Sequence, residues 1–274
     1  MIAYLDTNAF DHLYKKIGCT AADIANLRKK IYSRELSIRP SIHVLSEILL
    51  DRRARPELLV ARVKLTLSLA NFRRMVKACD QLLIDDMRAY ATRGEADRPY
   101  VSADLQNTIS AGISELVETD GEELDEEMVA ALEAARQRKE WFPGWLKVHD
   151  EAVAEFSEIG FEEYFKSELP SVMEAYARFA GVLDACRERG FDGLFDLRSI
   201  RAAAGIVLSF SYSRRFQGRA PTESDFFDLG HVPCAAAVAD TFVTNNARLR
   251  EALSRVPLEG FEVIDLPAFL ARLA

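Results

Sequence analysis

Asp6 stands at the end of a short apolar run, Met1-Ile-Ala-Tyr-Leu5, and is followed by Thr7 and Asn8. A buried strand that stops at a carboxylate is how a parallel sheet presents a metal ligand at its edge, and Asp6 is the first candidate ligand. A second polar cluster, Thr244-Asn245-Asn246, closes the apolar run Thr241-Phe-Val243 near the other end of the chain. Between them lie acids whose local setting is ambiguous. Glu47 sits one residue from the apolar face formed by Ile42, Leu45, Ile48 and Leu49, where a carboxylate is either a solvated surface group or a site residue. Asp225 and Asp228 are three apart near a helix start, so they share a face. Asp240 directly precedes a strand, and His231 lies three residues after Asp228.

Two stretches are basic: residues 51 to 77, which include Arg52 and Arg53, and residues 198 to 219, which include Arg214, Arg215 and Arg219 with no acid between Asp196 and Glu223. Each is either a solvated face or a surface for a polyanion, because arginine forks match phosphate geometry. The whole chain carries a net charge of −8, so any nucleic-acid contact must rest on the distribution of charge.

The elements that must position these residues follow from periodicity. The chain has 274 residues, 49% of them hydrophobic, enough for a substantial core. Strands are expected at 1–5, 35–39, 81–85, 241–243 and 261–264. Helices are expected from Asn8 to a C-cap at Gly18, over 21–34, from Pro40, from Pro56 as one long amphipathic helix to Lys77, over 197–210, around Asp228, and over 247–253 and 267–273. Residues 211–220 read as an Arg-rich loop. The middle is mostly helical, with Pro170 opening one helix, an acidic run at 120–127 and a turn at Trp141-Phe-Pro-Gly-Trp145. Cys19, Cys79, Cys186 and Cys234 form no C-x-x-C pair, which argues against a cysteine zinc site and for buried, reduced thiols. The N-terminus lacks a basic leader and no apolar stretch is long enough for a bilayer, so a cytoplasmic protein without membrane contact is expected.

Strands and helices alternate at both ends of the chain, which implies a parallel sheet covered by helices, with its chemistry outside the carboxyl ends of the strands. That rule gathers Asp6 and residues 244–246, within reach of helices carrying Glu47 and Asp228.

Four segments in order, Leu5-Asp-Thr-Asn8, Ser46-Glu-Ile-Leu49, Asp228-Leu-Gly-His-Val-Pro-Cys-Ala-Ala-Ala237 and Phe242-Val-Thr-Asn-Asn246, resemble the PIN-domain nucleases, the family that includes the VapC toxin ribonucleases. The resemblance covers about the first and last fifty residues. It implies an α/β fold: a PIN-like parallel sheet of about five strands flanked by helices, a single domain formed by about 1–95 and 195–274, with a large helical insertion at about 96–194. It also implies hydrolysis of RNA with Mg²⁺ or Mn²⁺ held by Asp6, Glu47 and Asp228, directly or through water, and oriented by Asn8, Thr244 and Asn246. The helical middle, which the resemblance does not cover, is where a protein partner is expected, an antitoxin or a second copy of the chain in a homodimer. Oxygen ligands suit these hard cations. The chain departs from the family at Asn246, where an acid is usual; Asp240 or Asp225 would have to supply the missing charge. A haloacid-dehalogenase-type phosphatase would need an acid at Asn8. A structure-specific DNA nuclease and a catalytically weak or inactive RNA-binding or assembly module are the remaining alternatives.

Overall fold

The computed structural model describes residues 1–50, 56–70, 74–119, 159–219 and 228–274. Four short strands, β1 (Ile2–Leu5), β2 (Ser37–Ile38), β3 (Thr241–Val243) and β4 (Glu262–Ile264), form an all-parallel sheet in the order β2-β1-β3-β4. The first and last quarters of the chain therefore share one sheet, with Tyr4 paired to Phe242 and Leu5 to Val243. Ala3, Tyr4 and Leu5 are fully buried, as expected for a central strand covered on both faces.

Helices fill the connections. In the first half these are α1 (Thr7–Lys15), α2 (Ala21–Tyr32), α3 (Ile42–Leu50), α4 (Pro56–Leu69), α5 (Cys79–Arg93) and α6 (Ala103–Glu118). Then come α7 (Phe161–Phe179), α8 (Leu183–Arg189), α9 (Phe191–Phe195), α10 (Arg198–Gln217), α11 (His231–Val238), α12 (Ala247–Ser254) and α13 (Leu266–Leu273). The 20-residue α10 is buried from Ser199 to Ser211 except at Arg201, with small residues at Ala202, Ala203, Ala204 and Gly205, and lies against α11 and α7. Tyr164, Phe165, Val172, Met173 and Tyr176 of α7 belong to the same hydrophobic cluster as β1 and β3. No described helix is long and apolar enough to cross a membrane. All four cysteines are free, and Cys79, Cys186 and Cys234 are buried.

Several expectations are corrected. Residues 81–85 are not a strand but lie in α5, whose buried Cys79, Leu82, Leu83, Asp86, Met87 and Tyr90 follow helical spacing; the sheet therefore has four described strands, not five. The helix from Pro56 stops at Leu69, and Ala70 and Val76 make isolated parallel bridges to Ile38 of β2 and to Ser41 just after it. The first helix ends at Lys15 and is capped by Lys16, which takes the left-handed conformation itself (φ 55°), two residues before Gly18. Pro170 lies inside α7. The segment 211–217 continues α10 rather than forming a loop. Pro233 falls in the first turn of α11, where a missing amide leaves no helical hydrogen bond unmade. The acidic run and the Trp141–Trp145 turn fall outside the described residues.

Candidate functional site

Asp6 follows β1 directly, and its backbone amide donates to the Val243 carbonyl (3.1 Å), tying it to the end of β3. It is the N-cap of α1: Oδ1 accepts the Ala9 amide at 2.6 Å. The residue is 1% exposed, and its Oδ2 is buried without a hydrogen bond. Burial pushes the Asp6 carboxyl up to about 6; His231, the Thr244 hydroxyl and the Ala9 amide oppose the shift, and the nearby charge of Asp228 adds to it.

His231 opens α11 and lies among three acids, Glu47, Asp6 and Asp228. Its Nδ1 meets the Tyr4 hydroxyl at 2.9 Å, and that hydroxyl meets Ser41 Oγ at 2.6 Å. Its Nε2 meets Glu47 Oε2 at 3.0 Å. Burial alone would lower the imidazole pKa, but the attraction of Glu47 and its hydrogen bond, with Asp6 and Asp228 behind, raises it. The partner shift has the opposite sign: burial pushes Glu47 up, and the charge and hydrogen bond of His231, with His43 and the Thr7 hydroxyl, outweigh it and hold the carboxyl at about 2. Glu47 and His231 thus form a partly buried ion pair rather than two independent groups.

Asp228 is half-buried and accepts a hydrogen bond from Asn246 Nδ2. The other end of that amide, Oδ1, caps α12 by accepting the Arg248 and Leu249 amides at 3.0 and 3.1 Å. Asn246 is therefore committed at both ends. A carboxylate here could cap the helix equally well but would repel Asp228, whereas the amide holds it. Thr244 is fully buried, and its hydroxyl accepts the Asn246 amide at 3.1 Å.

No family model, curated protein or solved structure matches the chain. The site accordingly stands on its own geometry.

That geometry draws Asp6, Glu47, Asp228, Thr244 and Asn246 to one edge of the sheet around His231, from four separate segments of sequence. Asn8 lies exposed in the first turn of α1. Asp240 does not join them. It precedes β3, its amide donates to the Ile2 carbonyl at 3.0 Å and its carboxylate faces the Ile2 amide at 3.4 Å, which puts it at the opposite, N-terminal edge of the sheet. A four-residue strand separates the two edges by roughly 13 Å, too far for a shared cation. Asp225, Arg52 and Arg53 lie outside the described residues. Arg214 is exposed on the last turns of α10, Arg215 lies over the rings of Tyr164 and Phe216 (5.6 and 5.2 Å), and Arg219 pairs with Glu251 at 3.1 Å.

Sequence reasoning passed over three site residues. His43 lies four residues before Glu47 on α3, with Nε2 3.6 Å from Glu47 Oε1, and its ring meets that of His231 edge-on at 4.7 Å. The H-x-x-x-E spacing was the available signal. Tyr4 reads as plain strand core, yet its hydroxyl holds His231. Gly230 seats the His43 ring, since a Cβ there would come within 2.4 Å of it.

Proposed function

We propose that this chain is a divalent-metal-dependent phosphodiesterase acting on RNA, an endoribonuclease of the PIN type. The observation that carries the reading is the Asp6 carboxylate: fully enclosed, its Oδ2 without a hydrogen bond, with Asp228 close enough to disfavour its ionisation. A buried anion so placed is costly unless a cation completes it. Support comes also from the order of the four motif segments, whose acids meet at the carboxyl edge of a parallel sheet.

Asp6 and Asp228 would hold Mg²⁺ or Mn²⁺ as hard oxygen ligands. When bound, the cation supplies charge neutralisation at the scissile phosphate and acidifies the attacking water. The chain's own residues do the rest. Asp6 is locked by the first turn of α1, Asn246 turns Asp228 toward the edge, and the Thr244 hydroxyl lies beside Asp6. The charge on His231 lets three carboxylates approach one another, and the Tyr4 and Ser41 hydroxyls keep its ring in place.

A second reading is favoured by Glu47, which is paired with His231, and by Asn246, whose amide oxygen is used in capping. On that reading the chain is an RNA-binding or assembly module that cleaves weakly or not at all. Labelled RNA incubated with Mn²⁺ separates the two. The wild type should cleave, and Asp6→Asn and Asp228→Asn should each lose at least about a hundredfold in rate, the scale of several kcal/mol at a metal-assisted transition state. RNA retained in chelator with no cleavage in Mn²⁺ would replace the nuclease with the binding module.

A further inference from the structure

We propose that His43, Glu47 and His231 form a site for a borderline divalent cation of the Zn²⁺ and Co²⁺ class, distinct in ligand chemistry from the Asp6–Asp228 pair. The inference does not rest on the phosphodiesterase reading.

One ligand atom from each of the three residues lies within 4.8 Å of the others, and the Glu47 oxygens stand 3.0 Å from His231 Nε2 and 3.6 Å from His43 Nε2. Around a tetrahedral ion with bonds of about 2.1 Å, neighbouring ligand atoms lie roughly 3.4 Å apart, so modest adjustment would close the set. The ion would take the place of the proton that joins His231 to Glu47, and two imidazoles and one carboxylate favour Zn²⁺ or Co²⁺ over Mg²⁺, which prefers oxygen alone.

Each ligand is also held from behind. His231 keeps Nε2 turned to Glu47 because its Nδ1 is engaged by the Tyr4 hydroxyl, which is engaged by Ser41 Oγ, which in turn accepts the Val44 amide at 3.2 Å. Such an outer hydrogen bond at the second ring nitrogen is the usual companion of a metal-bound histidine. His43 and Glu47 project from one face of α3 at four-residue spacing. The His43 ring fits against Gly230 only because that residue, next to His231, has no side chain. The cluster is not sealed: the His231 side chain is 1% exposed, while His43 and Glu47 are 15% and 17% exposed and give an entry path. Three protein ligands leave a fourth position open to water or an anionic oxygen.

The test titrates the metal-free full chain with Co²⁺, read by visible absorption, and with Zn²⁺, read by calorimetry. One equivalent should bind, with the strong d–d absorption of a low-coordinate ion. His43→Gln should weaken binding at least about tenfold, as should Gly230→Ala, which displaces the His43 ring. Asp6→Asn should bind as the wild type does. His231 is buried and its replacement could unfold the chain, so His43 is the deciding variant. No saturable uptake at one equivalent, or unchanged affinity in His43→Gln, overturns the proposal. Loss of binding in Asp6→Asn also overturns it by assigning the ion to the acids. Absence of RNA cleavage beside intact Co²⁺ binding would sink only the phosphodiesterase reading.

Discussion

Asp6 carries two opposed consequences, one for stability and one for chemistry. Its folded pKa is raised from 3.8 to about 6, so the folded state binds more protons than the unfolded chain between those values and stability falls as pH rises through them. Above pH 6, without divalent metal, the buried charge should cost on the order of 3 kcal/mol. Asp6→Asn keeps the helix cap and removes the charge, so in chelator at pH 7.5 its melting temperature should rise by a few degrees even as cleavage is lost; thermal denaturation at pH 4 and 7.5 measures this, and an equal melting temperature at both would contradict it. The Glu47–His231 pair has the opposite signs. The contribution of Glu47 is present above its ordinary 4.5 and is lost as pH falls through about 2. That of His231 is present below 6.5 and is lost as pH rises through its raised folded value. Glu47→Gln should therefore destabilise by about 3 kcal/mol, with the largest difference from the wild type between pH 4.5 and 6.5 in denaturant titrations. Asp6 was legible in the sequence because a strand-ending acid is a local pattern. His43 and Tyr4 were not, because their roles depend on the ring of His231, which arrives 188 and 227 residues later.

Among the elements, the packing of α10 on the segment after α12 makes the sharpest demand. A Cβ on Gly205 would meet Val256 Cγ1 at 2.2 Å. Gly205→Ala should cost about 1–3 kcal/mol by overpacking, and Val256→Ala in the same chain should recover most of it; additive losses in that double-mutant cycle would contradict the close approach. The elements also show where periodicity misleads. Leu82-Leu-Ile84 reads as a buried strand in isolation, and only the flanking Cys79, Asp86, Met87 and Tyr90 extend the stripe to helical length. Arg214 and Arg215 read as loop because the window ended at Phe210, yet aromatic partners on α7 and α10 support another two turns of helix. The strands at the ends of the chain were legible, since three of them are short apolar runs that stop at Asp6, Thr244 or Asp265.

At the scale of the molecule, the sheet order β2-β1-β3-β4 is what makes a site at all, because it sets the end of β1 beside the end of β3 and brings the two halves of the motif set together. The parallel α/β class could be read from alternation at both ends; the strand count could not, since a helix buried on one face and a strand buried on both share the same short apolar runs. The central claim is that Asp6 and Asp228 hold a hard cation at this edge. Anomalous diffraction at the manganese edge from Mn²⁺-soaked crystals tests it most directly. The account expects a peak within coordinating distance of Asp6 Oδ2 and an Asp228 oxygen; well-measured data with no peak between those two carboxylates would contradict it.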